Sequence, residues 1–212
     1  VYTCAISPDG TLVATGSGDK SFCIINIITQ EKVYTVPCDH WVRAHLSFVV
    51  LTPHQGDDVA WSPDGTRLVA VTYIGHVIQV TNNNAHSTVY KIKKVPIFMF
   101  VALPLLIPCL LEACAFSPSG IVAVGGRDNT VTLLDPSIKY SVIQRLSGLL
   151  VIALVNNYLL LLTRKCQVHR LAFSPSGNIL VAGCGDGHVY IYGLTYGKWA
   201  QVSYNKYHSS QV

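Results

Sequence analysis

The amino-acid sequence predicts an all-β chain built from repeated units, and three observations carry that reading. A seven-residue motif recurs four times in register. Runs rich in β-branched residues flank each copy, and turn-forming residues punctuate those runs at fixed places. The motif reads CAISPDG from Cys4 to Gly10, VAWSPDG from Val59 to Gly65, CAFSPSG from Cys114 to Gly120 and LAFSPSG from Leu171 to Gly177. Successive Ser-Pro pairs stand 55, 55 and 57 residues apart, a period that marks a repeat architecture.

Each element of the unit follows from its residues. The apolar residues ahead of Ser-Pro form a first strand. The Ser-Pro-x-Gly step is a tight turn, because Pro fixes φ near the value a turn needs, Asp or Ser bonds the local backbone, and Gly accepts positive φ. The runs TLVATGS, TRLVAVT, IVAVGG and NILVAGC that follow are second strands. Short breaks rich in Gly and Asp or Asn come next, at Gly16 to Lys20, Arg127 to Asn129 and Gly183 to Gly187, and suit a second hairpin turn. The runs Phe22 to Ile27, Val77 to Val80, Val131 to Leu134 and Val189 to Tyr192 then alternate as half-buried strands do. Each unit is an antiparallel meander of three clear strands and a fourth outer one.

A lone sheet of this size cannot bury its apolar faces, so the units must stack on one another. Radial stacking makes them the blades of a β-propeller, with four recognisable four-stranded antiparallel units. The units span 1–42, 56–94, 112–148 and 168–194, with insertions at 43–55, 95–111 and 149–167 and a tail at 195–212. The tail carries Trp199, Tyr204 and Tyr207 and is expected to start another strand or to dock on an open edge.

The four Ser-Pro-[Asp/Ser]-Gly blocks, with an Asp a few residues ahead of the third strand, resemble the WD-repeat (WD40) family of β-propellers. Complete propellers usually have four to eight blades, and the resemblance implies the seven that are common in the family, so four degenerate repeats starting at a first strand suggest an incomplete ring and a piece of something longer. The resemblance also implies that the Asp between second and third strands ties blades together through a His, a Ser or Thr, and a Trp. Asp19, Asp128 and Asp186 match that structural turn Asp, and Ile74 replaces it in the second unit. The Trp-Asp ending is degenerate at Ile25-Asn26, Val80-Thr81, Leu134-Asp135 and Tyr192-Gly193, and no unit has the Gly-His pair ahead of its first strand. The polar tetrad is therefore incomplete, and packing must hold the blades.

A family blade takes about 40–45 residues, so the surplus lies just before the first strands of units 2, 3 and 4. The chain is 50% hydrophobic and only 12% charged, with a mean hydropathy of +0.39, and the insertions account for much of that bias. Segments 95–111 and 146–163 are uncharged, have Lys93, Lys94, Arg164 and Lys165 at their flanks, and approach the length of a spanning helix. They support an alternative reading, a membrane-associated protein anchored by these two segments. Against it, such a hairpin puts unit 3 across the membrane from its neighbours, and Pro96, Pro104, Pro108 and the pair Asn156-Asn157 are unfavourable in spanning helices. The other readings are apolar loops packed on the propeller or a partner, and translated non-coding sequence.

Composition excludes several chemistries. The net charge of +4 is scattered and forms no basic stripe for a phosphate backbone, so nucleic acid is not an expected partner. Seven cysteines, an odd count without a C-x-x-C pair, read as reduced core residues of a cytoplasmic or nuclear protein. The stretch Gly16 to Ser21 lacks the spacing of a phosphate loop. Cys38, Asp39, His40 and His45 lack a second ligand pair at zinc spacing, so no metal is expected. Asp57 and Asp58, being adjacent in a strand, point to opposite faces and cannot share one proton. No Ser-His-Asp or Cys-His set assembles, so the chain is not expected to be an enzyme or to hold a cofactor or small-molecule ligand.

The expected function is a scaffold or adaptor that binds other proteins or peptides. In WD-like propellers the rim made by the segments entering the first strand and by the turns between second and third strands receives partners. By position, this resemblance assigns Tyr2, Asp57, Asp58, Glu112, His169 and Arg170 from the entering segments, and Lys20, His76, Arg127, Asn129 and His188 from the turns. Reversing Asp58 and Arg170 together is expected to weaken capture and to leave the melting temperature unchanged.

Overall fold

The computed structural model describes residues 1, 3–17, 19, 21–37, 58–71, 76–81, 87–91, 111–126, 130–147, 150–155, 158–163 and 167–209. Blade 1 consists of β1 (Thr3–Ile6), β2 (Leu12–Ser17), β3 (Ser21–Asn26) and β4 (Lys32–Pro37). Blade 2 follows with β5 (Asp58–Trp61), β6 (Arg67–Val71), β7 (His76–Thr81) and β8 (Ser87–Lys91). Blade 3 is β9 (Leu111–Phe116), β10 (Val122–Gly126), β11 (Thr130–Asp135) and β12 (Ser141–Ser147), with a 3-10 turn at Pro136–Ile138. A separate two-stranded sheet, β13 (Leu150–Val155) and β14 (Tyr158–Thr163), precedes blade 4, which is β15 (Val168–Phe173), β16 (Ile179–Cys184), β17 (His188–Thr195) and β18 (Lys198–Lys206). Every blade is a four-stranded antiparallel meander in sequence order, and no α-helix occurs among the described residues.

The first strands β1, β5, β9 and β15 lie side by side in that order, and the blades fan outward from them. Three apolar clusters fill the joints. Ala14, Phe22 and Ile24 of blade 1 meet Trp61, Leu68 and Ile78 of blade 2. Val69, Val71 and Val77 of blade 2 meet Val122, Val124 and Leu134 of blade 3. Ala123, Val131 and Leu133 of blade 3 meet Leu180, Tyr190 and Tyr192 of blade 4. Alternate residues of each strand thus serve opposite joints, as a two-residue period requires. Burial pushes the Tyr192 hydroxyl up to about 12, with Tyr190 adding to the effect.

The Ser-Pro-x-Gly turns are built alike. In each, the Gly N–H donates to the Ser carbonyl oxygen at 2.9 Å, and the Ser hydroxyl oxygen accepts an N–H from the start of the second strand, at 2.9 Å for Leu12, Arg67 and Ile121 and 3.1 Å for Ile179. Gly10 has a φ of 73°, which any side chain would strain, and its counterparts Gly65, Gly120 and Gly177 share that conformation. In blades 1 and 2 the Ser hydroxyl donates to Asp9 and Asp64. The Ser62 hydroxyl and the Thr66 N–H hold the Asp64 carboxyl down at about 2.

Several boundaries differ from the sequence reading. Blade 4 does not stop at residue 194: the tail supplies its outer strand β18, because Trp199 finds an apolar seat in the joint with blade 3. Leu111, assigned to an insertion, opens β9 and is fully buried. Within 146–163, where a spanning helix was one reading, the backbone forms the paired strands β13 and β14 instead. No helix among the described residues is long and apolar enough to cross a membrane. Insertion 43–55 lies outside the described residues, as does 95–111 apart from Leu111. Cys4, Cys23 and Cys114 are free thiols, but Cys184 is disulfide-bonded, which corrects the reading of all seven as reduced.

Candidate protein-interaction face

Strand register fixes which chain segments share an end of the stack. Thr3 pairs with Gly16, Ser17 with Ser21, and Ser21 with Pro37, so the start of β1, the turn between β2 and β3 and the end of β4 lie together. Val168, Cys184 and Gly183, Val189, His188 and Lys206 do the same in blade 4. All first strands begin at this entry face, and all Ser-Pro turns lie at the opposite turn face.

On the entry face the sequence-assigned residues divide. Asp58 sits between three blades: its Oδ1 accepts from the Thr3 hydroxyl of blade 1 at 2.9 Å, and its Oδ2 accepts from the Cys114 N–H of blade 3 at 3.0 Å. Glu112, only 2% exposed, holds His169 of blade 4 through an Oε2 to Nδ1 contact of 2.7 Å. The imidazole lies against Gly185, where a Cβ would stand 2.6 Å from Nε2, so the close approach requires glycine. Asp58 and Glu112 thus stitch blade to blade. Reversing Asp58 is therefore predicted to break these bonds and to lower the melting temperature, where the sequence reading expects the double reversal to leave it unchanged. Cys114, buried beside Asp58, has its thiol pushed well up, first by desolvation and then by that carboxylate.

Arg170 is exposed, and its guanidinium donates to the His169 carbonyl oxygen at 2.9 Å. His188 is buried at the turn between β16 and β17, its N–H donating to Asp186 Oδ1 at 3.0 Å and its Nδ1 meeting Asp186 Oδ2 at 3.0 Å. Its ring lies 6.2 Å from that of Tyr204, which stacks on Tyr190 at 5.7 Å. His76 opens β7 at this face. Tyr2, Lys20, Asp57, Arg127 and Asn129 lie outside the described residues, as does Asp128.

Of the turn aspartates, Asp19 accepts the Ser21 N–H at 3.1 Å and the Ser21 hydroxyl at 2.7 Å, which lowers its carboxyl pKa. Asp186 serves His188 as described. Both sets of bonds stay within their own hairpins, whereas Asp58, Glu112 and an edge clamp cross the joints. In that clamp the Gln144 amide on β12 donates to the Trp199 carbonyl oxygen at 2.7 Å and accepts the Trp199 N–H at 3.0 Å. Position in the repeat gave no signal for Gln144, because its partner lies 55 residues away. No group of three or more His, Cys, Asp or Glu that could hold a metal ion occurs among the described residues.

Four-stranded meanders fanned around their first strands, each pinned by the same Ser-Pro turn, define a repeat protein of the β-propeller type with an incomplete ring. The family model of the WD domain, G-beta repeat, matches residues 1–26 and 159–193. Those two segments are similar to WD repeats; the first match covers β1 to β3, and the second begins within β14 and runs into β17. WD repeats generally mediate protein–protein interaction as scaffolds and are typically non-enzymatic. No curated protein matches the chain.

Proposed function

We propose that this chain is a protein-binding scaffold that captures a protein or peptide on its entry face, with Arg170 and the hairpin carrying Asp186 and His188 as contacts on blade 4. Lys20, His76, Arg127, Asn129, Tyr2 and Asp57 are assigned to the same function by their place in the repeat alone. Asp58 and Glu112 act beneath it, holding the blades that present it. The observation that carries this reading is the unequal chemistry of the two ends: the turn face repeats one bonded motif four times, whereas each blade offers different side chains at the entry face. Binding residues concentrate on variable loops held by a repeated scaffold.

The test is a selection from a displayed random peptide library on the immobilised chain. Selected peptides are expected to lose at least about tenfold in affinity, roughly 1.4 kcal/mol, on Arg170→Glu and to bind Ser176→Ala at the turn face unchanged. Peptides that ignore Arg170→Glu and lose affinity on Ser176→Ala overturn the assignment.

A further inference from the structure

The four Ser-Pro-x-Gly turns differ at the residue between Pro and Gly, which is Asp9 in blade 1, Asp64 in blade 2, Ser119 in blade 3 and Ser176 in blade 4. In blades 1 and 2 a carboxylate gathers the donors around it. Asp9 accepts from the Ser7 hydroxyl, from the Thr11 N–H at 3.2 Å and from the Thr11 hydroxyl at 2.8 Å. Asp64 accepts from the Ser62 hydroxyl and from the Thr66 N–H at 3.1 Å. The Ser hydroxyl first, and the Thr groups after it, lower both carboxyl pKa values, so this corner of the turn favours negative charge. The turn of blade 4 has the same length and backbone. Its Ser174 N–H donates to the Ile179 carbonyl oxygen at 2.9 Å, as Ser7 does to Leu12 at 2.8 Å, and Asn178 accepts the Leu194 N–H at 2.9 Å, as Thr11 accepts that of Ile27 at 2.9 Å. Asn178 therefore stands where Thr11 stands. Ser176, however, offers only a hydroxyl, 3.0 Å from Ser174 Oγ, and among the described residues no acceptor meets the Asn178 N–H. Blade 3 has no such donor: its turn is one residue shorter, and the Ile121 N–H that follows Gly120 already donates to Ser117 Oγ at 2.9 Å.

We propose that Ser176 is a phosphorylation site, where a phosphoryl group supplies the anion that Asp9 and Asp64 supply in blades 1 and 2. The Ser176 oxygen attacks the terminal phosphorus of a nucleoside triphosphate held by a protein kinase. The new O–P bond forms as the bond to the departing nucleoside diphosphate breaks, and the hydroxyl proton passes to a base of the kinase. Ser176 and Asn178 are both exposed, so the hydroxyl is open to such an enzyme. A phosphoserine brings close to two negative charges and three acceptor oxygens. These serve the Ser174 hydroxyl and the Asn178 N–H, and the Asn178 side-chain amide takes the role of the Thr11 hydroxyl. Residues 167–185 include no acidic side chain, so neither strand of this hairpin sets a like charge against the phosphate. Ser119 is exposed too, but its turn lacks a counterpart of the Asn178 donor, which restricts the site to blade 4. The turn lies at the end of the stack opposite Arg170, and the site stands or falls apart from the entry-face reading.

The experiment incubates the full chain with labelled adenosine triphosphate and an extract of the cells that make it. Label is expected on the wild-type chain and on Ser119→Ala, and is expected to vanish on Ser176→Ala, whose circular dichroism spectrum should stay that of the wild type. A chain carrying phosphoserine at position 176 is then compared with the bare chain by NMR. Exchange of the Asn178 amide is expected to slow about fivefold. The second ionisation of the phosphate should fall below its ordinary value of about 6, because an N–H donor favours the dianion. A wild-type chain that takes no label, label that persists on Ser176→Ala, or an Asn178 amide that exchanges as fast with the phosphate as without it overturns the inference.

Discussion

The two ends of the stack solve the same problem in different ways. At the turn face, four Ser-Pro-x-Gly turns satisfy their own backbone groups with bonds that span two to five residues, and the tie between blades beside them is a single indole N–H, from Trp61 to the Ala5 carbonyl oxygen at 3.0 Å, among the described residues. At the entry face, the ties span 55 or more residues and no two are alike: Thr3 to Asp58, Asp58 to Cys114, Glu112 to His169. Uniform local chemistry defines each blade, and irregular long-range chemistry orders the blades relative to one another. A face whose residues differ from blade to blade is also the one that can discriminate among partners.

That contrast can be broken at chosen places. The largest effect belongs to Asp58→Ala, which leaves the Thr3 hydroxyl and the Cys114 N–H without their carboxylate. Two bonds to a charged, half-buried acceptor put the loss at about 3 kcal/mol, read by urea denaturation, with Asp58→Asn recovering part of it. Gly185→Ala comes next: its Cβ would displace the His169 ring from Glu112, at a cost of about 2 kcal/mol, and His169→Ala in the same background is expected to relieve the clash. Gln144→Ala opens the outer edge of the joint between blades 3 and 4 and costs about 1 kcal/mol, seen as faster hydrogen exchange at the Trp199 amide.

The smallest effect lies at the turn face. The Asp64 carboxyl is held at about 2 against an ordinary 3.8, so its contribution is full above pH 4 and is lost as pH falls through that interval. Its exposure limits the loss to about a few tenths of a kcal/mol. Asp64→Asn should flatten the acid limb of the stability profile by that amount, and a larger change would mean that the turn face also carries ties between blades.

Sequence legibility follows the same division. The blades were readable because proline, glycine and a serine hydroxyl act within a few residues, so their pattern survives in the chain itself. The entry-face ties were not, because Asp58 and Glu112 look like solvated loop acids until strand stacking brings Thr3, Cys114 and His169 beside them. The run at 150–163 was ambiguous in a different way. Its two stretches rich in Leu, Val and Ile suit buried strands or an apolar helix, and the pair Asn156-Asn157 between them was the local sign of a hairpin. In the tail, Trp199 and Tyr204 marked apolar content but not which edge they would join, and the clamp from Gln144 supplies that specificity.

The most direct measurement is a hydrogen-exchange footprint of the chain with a selected peptide bound. Slowed exchange at the amides of 169–170 and 186–188, with 174–178 unchanged, is the result that entry-face binding requires. Protection confined to the Ser-Pro turns would contradict it.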